Sequence, residues 1–148
     1  GAGTYTMISA KKINGAWNIY STLNDGKSHT ETIVLSTAKE NYANYSYLGA
    51  GNDLKDATKN GFILGTSNFN GYVAWDRQCL NCILQYGGTN YPLEWTVNRQ
   101  SVICNKCKRV YSLENGTITS GGQGKEDKML MQYRVTYTGI GSVLTVGN

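Results

Sequence analysis

Four cysteines fall into two pairs of the form Cys-x-x-Cys: Cys79-Leu80-Asn81-Cys82 and Cys104-Asn105-Lys106-Cys107, about twenty residues apart. A thiolate is a soft anionic ligand, and two sulfurs two residues apart reach one ion when the backbone turns between them. A hairpin in the gap folds the second pair onto the first and brings four thiolates to the corners of one tetrahedron. Zn²⁺ is the expected ion; Fe, alone or as a [2Fe-2S] cluster, takes the same donors. Disulfides in an oxidising compartment are the competing reading. A bridge inside one pair closes a very short loop, however, and restrains the unfolded chain little. A thioredoxin-like redox pair is disfavoured, because that motif opens a helix and both pairs here read as lying among strands and turns.

Four thiolates around a divalent ion leave net negative charge, which Lys106, Lys108 and Arg109 are placed to offset. Glycine often follows the second cysteine of such a knuckle, where the chain favours positive φ. Ile83 and Lys108 hold those places here, so less relaxed turns are expected. Other chemistry finds little footing. His29 is the only histidine, so no Ser-His-Asp or Cys-His arrangement can be assembled. Asp25, Glu31, Asp53, Asp56, Asp76 and Glu94 contain no pair that spacing marks as acid and base. The sequons at Asn44 and Asn115 are short patterns, and Asn115-Gly116 is better read as a turn. Gly121-Gly122-Gln123-Gly124 follows no phosphate-loop rule.

The elements that must carry the cysteines are strands. The chain has 148 residues, with 18 Gly and 11 Tyr against a single Pro, a usage of strands joined by tight turns. That length fits one domain able to bury a core without metal or disulfides. Asn14-Gly15, Asp25-Gly26, Asn60-Gly61, Asn70-Gly71 and Asn115-Gly116 are candidate hairpin turns. Ala16 to Leu23 and Thr30 to Leu35 are read as partners across Asp25-Gly26, and Gly61 to Ser67 and Tyr72 to Arg77 across Asn70-Gly71. Met129 to Tyr137 alternates, with Met131, Tyr133, Val135 and Tyr137 on one face. Ser142 to Val146 is its expected partner. Thr37 to Asn44 and Asn52 to Thr58 read equally as short helices or as loops. Ser120 to Lys128 reads as an exposed loop. Trp75, Tyr86, Tyr91 and Trp95 flank the cysteines and are read as core and half-buried sheet faces.

A net charge of +4 with scattered lysines excludes a nucleic-acid footprint. Lys106, Lys108, Arg109 and Tyr111 make a solvated loop, not a binding ribbon, because no second basic cluster supports them. Charged residues are only 16%, a lightness common in secreted and envelope β domains. The first residue is Gly1, consistent with a targeting segment removed from the chain.

The order of these parts resembles the Rieske iron–sulfur domain. Tyr72-Val-Ala-Trp-Asp-Arg-Gln-Cys79 leads into a first box. Cys104-Asn-Lys-Cys107 forms a second, and Tyr111-Ser-Leu113-Glu-Asn-Gly116 follows it. Leu130 to Val135 and Val143 to Val146 supply closing strands. The resemblance runs from Gly61 to the C-terminus. Cys79 and Cys104 match the family's cysteine ligands. Cys107 stands at one histidine position; Asn81 stands at the other, with Cys82 one residue on. The family's glycine-proline loop over the cluster has no clean counterpart in Gly121 to Lys128.

The expectation is therefore an all-β single domain, 1–148, with an antiparallel Rieske-like sandwich or barrel. Its base is 1–71 and 117–148, and a metal-binding hairpin subdomain spans about 72–116. Cys79, Cys82, Cys104 and Cys107 form a non-enzymatic, structural zinc site; electron transfer through iron is the alternative. By resemblance to envelope lipoproteins of Bacteroides-type bacteria, the domain is expected outside the cytoplasm. The periplasm or the outer membrane is the expected place, with attachment through the removed N-terminal segment and a protein partner left unnamed.

Overall fold

In the computed structural model, which describes residues 3–13, 16–23, 33–35, 61–137 and 144–147, the chain is mostly strand. Seven strands make the larger sheet: β1 (Thr4–Ile13), β2 (Ala16–Leu23), β3 (Ile33–Leu35), β4 (Phe62–Thr66), β5 (Tyr72–Asp76), β10 (Gln132–Tyr137) and β11 (Leu144–Gly147), in the order β2-β1-β4-β5-β10-β11-β3. All its pairings are antiparallel except the parallel contact of β11 with β3. A second, fully antiparallel sheet holds β6 (Leu93–Trp95), β7 (Ser101–Cys104), β8 (Val110–Ser112) and β9 (Ile118–Ser120), in that order. One short helix, α1 (Leu80–Tyr86), joins the two sheets. The expected all-β class is observed.

Several turn signals act as expected. Ile13 pairs with Ala16 on either side of Asn14-Gly15. Asn70-Gly71 closes the β4–β5 hairpin, with Gly71 at φ 68 and the Ser67 N–H donating to the Gly71 carbonyl at 2.7 Å. Asn115-Gly116 lies between β8 and β9. There the Asn115 carboxamide oxygen accepts from the Thr117 N–H at 3.1 Å, a local Asx bond that supports the turn reading. β10 alternates as read: Met131 and Tyr133 are buried, while Gln132 and Arg134 are exposed.

One pairing differs. Ala16–Leu23 and Ile33–Leu35 are not hairpin partners; they lie at opposite edges of the larger sheet. The turn dipeptide between them signals a reversal, not which strand receives the returning chain. His29, Asn44, the two candidate helices at 37–44 and 52–58, and Asp25, Glu31, Asp53 and Asp56 lie outside the described residues.

Both faces of the larger sheet are covered at Tyr5–Ile8 of β1 and along most of β4 and β5, so these stretches are buried throughout rather than alternating. Ile8, Phe62, Leu64, Ala74, Met131, Tyr133 and Val146 point into one core, where Leu80 and Ile83 of α1 join them. Tyr5, Met7, Ile63, Val73 and Trp75 point into the other, against Leu93, Val102, Tyr111 and Leu113 of the smaller sheet region. All four cysteines belong to or border this second core. Trp75 fastens the two sheets: its indole N–H donates to the Leu113 carbonyl at 3.0 Å while the ring is 2% exposed.

Candidate metal centre

The two cysteine pairs are brought together by register. The chain leaves β5 at Asp76, and Gln78 forms an isolated bridge with Pro92. The Cys79 N–H donates to the Tyr91 carbonyl at 3.0 Å and the Leu93 N–H to the Arg77 carbonyl at 2.7 Å. The Gln78 side-chain oxygen also accepts from the Tyr91 N–H at 2.8 Å. The approach to Cys79 is thus pinned beside β6. On the other side of β6, Leu93 pairs with Cys104 at the end of β7. The second cysteine pair then lies in the turn from β7 to β8. Its geometry is held by Cys104 N–H to the Arg109 carbonyl at 2.9 Å and Lys108 N–H to the Cys104 carbonyl at 2.7 Å.

The first pair does not lie among strands and turns as the sequence suggested. Cys79 is the N-cap of α1 and Cys82 lies in its first turn. The helix is under two turns long, too short for apolar periodicity to announce it. Its stop was readable: Gly87 ends it, the Gly87 N–H donating to the Ile83 carbonyl at 2.9 Å. Leu80 and Ile83 face the first core while Cys79 and Cys82 face the second. The helix therefore lies on the seam between the cores, with its sulfurs turned to the smaller sheet.

All four sulfurs lie within 4.8 Å of one another. Cys79 and Cys107 Sγ are 3.8 Å apart, and Cys82 and Cys104 Sγ 3.6 Å. Four sulfurs about 2.3 Å from one zinc ion are separated by about 3.8 Å along each tetrahedral edge. The spacing thus fits a single ion. Cys79, Cys82 and Cys104 are fully buried and Cys107 is half-buried, and all four are free thiols. Four cysteines this close can bind a metal.

Packing four thiols together disturbs their ionisation. Cys104 is drawn down to about 5, chiefly by hydrogen bonding with Cys79, with help from the backbone N–H groups of Cys107 and Lys106 and against the effect of burial. Cys82 is pushed up to about 12 by burial and then by Cys104 and Cys107. Cys79 also moves up, through its bond to Cys104 and through burial. These contacts favour negative charge at Cys104 over Cys79 and Cys82, and a thiolate there opposes a second. A divalent cation removes that opposition by supplying the positive charge.

A relay of polar groups reaches the cluster from the loop at 121–128. The Lys128 N–H donates to Asn81 Oδ1 at 2.8 Å, which fixes the orientation of the amide. Asn81 Nδ2 then donates both to the Lys128 carbonyl and to the Tyr111 hydroxyl oxygen, each at 2.8 Å. The Tyr111 oxygen is therefore an acceptor from Asn81, and its one proton is within reach of Cys79 Sγ, 3.1 Å away, to which it donates when that sulfur is a thiolate. Burial first, then Cys79, raise the Tyr111 phenol above its ordinary pKa, so it remains a donor. Tyr111 is 1% exposed, which removes it as a stacking aromatic for nucleic acid.

Of the three cations expected to offset thiolate charge, Arg109 is the buried one. Its Nε and Nη2 donate to Asp127 Oδ1 at 3.1 and 2.7 Å. Burial opposes its charge, but Asp127 and the adjacent Cys107 outweigh that and hold it protonated. Nη1 is buried and makes no hydrogen bond, which leaves one donor nitrogen of this guanidinium unused beside the cysteine cluster. Asp127 is in turn held below the usual carboxylate range, first by the Gln123 N–H and then by Arg109. Lys106 instead lies over the Tyr86 ring, 4.7 Å from its centre, and Lys108 is exposed.

Lys108 does occupy the position that favours glycine, at φ 67. The residues of 121–124 are exposed, as expected of a loop, yet they are built against the knuckle. A Cβ on Gly121, itself at φ 73, would lie 2.4 Å from the Lys108 carbonyl oxygen, so this position admits only glycine. Gln123 Nε2 reaches the Cys107 carbonyl at 3.4 Å. Asn81, Tyr111, Asp127 and Lys128 were not recognised from sequence as parts of one support; Asn81 and Lys128 are 47 positions apart and nothing local links them. Of the flanking aromatics, Trp75 is core, Tyr91 and Trp95 are half-buried, and Tyr86 is 53% exposed rather than packed.

No family model matches the chain, and no curated protein or solved structure matches it.

Proposed function

We propose that the chain is a non-enzymatic metal-binding domain in which Cys79, Cys82, Cys104 and Cys107 hold one structural Zn²⁺. The observation that carries this reading is the convergence of four sulfurs within 4.8 Å, from two loops that register sets side by side. Four protein thiolates fill the tetrahedron and leave no place for water or substrate, which is the mark of a structural site. The ion ties the first turn of α1 to the β7–β8 turn, and the relay from Lys128 to Cys79 orients one of its ligands. The compactness of the set favours one ion over a two-iron cluster, whose two metals would spread the sulfurs further.

A second reading is an electron carrier with a single iron at the same cysteines. The Tyr111 bond to Cys79 and the Arg109 charge beside Cys107 favour it, since polar contacts to ligand sulfur set an iron site's potential. The proposal extends to a Rieske-like scaffold outside the cytoplasm, in the periplasm or on the outer membrane. Its support is the order of the boxes and closing strands, together with the light charge of the chain. Fractionation of cells that produce the protein from its own gene tests the location, and a wholly cytoplasmic pool overturns it.

Metal analysis of protein purified without chelators separates the two ions. One zinc per chain and no visible absorption is expected. Iron equal to protein, with colour that bleaches on reduction, transfers the assignment to electron transfer. A chain with no metal and no titratable thiols rejects both.

A further inference from the structure

Three of the four cysteines are completely buried, as a closed structural site requires, and the fourth is not. Cys79, Cys82 and Cys104 are 0% exposed, while Cys107 is half-buried at the rim of the turn. A small oxidant reaching the site from solvent therefore meets Cys107 first. Cys107 Sγ lies 3.8 Å from Cys79 Sγ, and the remaining two sulfurs, Cys82 and Cys104, are 3.6 Å apart. Both of these short spacings cross from one loop to the other.

We propose that this centre is a peroxide-responsive metal switch, in which hydrogen peroxide oxidises Cys107 first and the four thiolates end as two cross-loop disulfides, Cys79–Cys107 and Cys82–Cys104, with release of the metal. The inference rests on the metal-binding reading above. In the first step the Cys107 thiolate attacks one peroxide oxygen. An S–O bond forms, the O–O bond breaks, and hydroxide leaves, so sulfur loses two electrons and peroxide gains them. The Cys79 thiolate then attacks the Cys107 sulfur. An S–S bond forms, the S–O bond breaks, and a second hydroxide leaves. Protons from solvent convert both hydroxides to water. A second peroxide does the same to Cys82 and Cys104, giving overall two disulfides, four waters and one free cation. Zinc keeps its charge throughout, because it has no redox chemistry of its own.

The surroundings explain what such a switch would change. Cys107 is tied by its carbonyl to Gln123, and Cys79 is tied through Tyr111 and Asn81 to Lys128. Contraction of the Cys79–Cys107 pair to bonding distance therefore pulls on both ends of the loop at 121–128. The new bonds also hold α1 to the β7–β8 turn after the metal has gone, so a thiol reductant regenerates the original four ligands in place.

The test uses the full chain loaded with Zn²⁺, with stoichiometry measured before any oxidant is added. Hydrogen peroxide is then titrated while a chromophoric chelator reports free zinc. Release of one zinc is expected as two equivalents of peroxide are consumed, with rebinding after dithiothreitol. Trypsin cutting after Lys106 separates Cys104 from Cys107, and chymotrypsin cutting after Leu80 separates Cys79 from Cys82, so mass spectrometry assigns each linkage. Disulfides within Cys79–Cys82 and Cys104–Cys107, or sulfinic acid without disulfide, overturn the proposal. In a Cys107→Ser chain, which lacks one ligand, thiol titration replaces zinc release as the readout, and the Cys79 thiol is expected to be lost to peroxide about tenfold more slowly. Should that variant not fold, a sulfenic-acid trap on the unmodified chain at low peroxide replaces it; an adduct on Cys107 is expected, and one on Cys82 or Cys104 instead refutes the order of attack. A chain that takes up no zinc at the outset removes the metal reading and the switch together. One that takes up zinc and keeps it through excess peroxide removes the switch alone.

Discussion

Replacing Tyr111 by Phe isolates one atom of the metal centre. The ring is 1% exposed and remains where it is, so packing changes only by the hydroxyl oxygen. Two bonds are lost: the donation to Cys79 Sγ at 3.1 Å and the acceptance from Asn81 Nδ2 at 2.8 Å. In the metal-loaded protein Cys79 is a thiolate, and a hydrogen bond to a charged group contributes about 1.5–3 kcal/mol. In the metal-free protein Cys79 is a thiol whose pKa is raised by Cys104 and by burial, and the same bond is a neutral one of about 1 kcal/mol. Metal affinity reads the difference, about 0.5–2 kcal/mol, which is about a 2- to 30-fold loss. Asn81 keeps its bond to the Lys128 carbonyl, so the metal-free fold is expected to lose about 1–2 kcal/mol.

Competition for Zn²⁺ against a chromophoric chelator measures the affinity, and urea unfolding of the metal-free chain measures the stability. Tyr111→Phe with unchanged affinity and reduced stability would falsify the relay, leaving the hydroxyl a packing contact. Asn81→Ala provides the cross-check. Because Asn81 is what directs the Tyr111 proton to sulfur, the two substitutions should not add: the double variant is expected to bind zinc about as well as the weaker single one. Additive losses would mean that the hydroxyl finds Cys79 unaided.

Lys108→Gly is expected to raise the urea midpoint: relief of about 1–2 kcal/mol of left-handed strain at φ 67 exceeds the roughly 0.5–1 kcal/mol of added chain freedom. Gly121→Ala should destabilise by about 1–3 kcal/mol and weaken zinc binding, because its Cβ meets the Lys108 carbonyl oxygen at 2.4 Å; an unchanged midpoint would show that the loop shifts freely. Glu114, which accepts from the Asn68 and Phe69 N–H groups at 2.6 Å each and from the Tyr5 hydroxyl at 3.3 Å, holds the β4–β5 hairpin to the smaller sheet region. Glu114→Gln should lower stability by about 1–2 kcal/mol and bring the Tyr5 phenol down from about 12, where burial and then Glu114 put it, as followed by ultraviolet titration. Asp76 is fully buried, and burial raises its carboxyl to about 7 against the opposing bonds from Tyr133 and Gln78. The folded state then binds a proton that the unfolded state releases near the ordinary value of 3.8, so stability is fully present below that value and falls as pH rises through about 7. Asp76→Asn should flatten the decline, which spans up to about 4 kcal/mol; an equally steep decline in the variant assigns it to other groups.

The clustering of the four cysteines was legible because two sulfur pairs of this spacing can converge on one point wherever the fold puts them. Strands with one covered face were legible for a similar reason, as β10 shows with Met131 and Tyr133 turned inward and Gln132 and Arg134 outward. β1 was not. Tyr5, Thr6, Met7 and Ile8 are all buried, so the strand shows no alternating period; β4 and β5 lack one too and were readable only as partners across the Asn70-Gly71 turn. Strand neighbours were beyond reach as well. β3 pairs in parallel with β11, a contact across most of the chain that no turn dipeptide encodes. The support of the site failed to show for the same physical reason: Asn81 reads as a polar residue inside a knuckle until the Lys128 backbone lies against it.

The candidate metal centre is set at a seam, and that position decides what a bound ion would do for the fold. The first core, with Ile8, Phe62, Leu64, Met131, Tyr133 and Val146, contains no sulfur ligand and is formed mainly by the larger sheet. The second core contains Cys79, Cys82 and Cys104, and through them the contacts of α1 with the smaller sheet. Metal bound there stabilises the second core directly and reaches the first only through Leu80 and Ile83, the two apolar residues on the other side of the same helix. The larger sheet thus has an apolar basis of its own, whereas the smaller one, with strands of three or four residues, leans on Trp75, Leu93, Tyr111 and the cysteines packed with them. A site so placed does not have to make the chain fold. It sets how firmly the small sheet and the loop at 121–128 are held to the large one, which is the property that a partner docking on that side, or a change in the sulfurs themselves, would act upon.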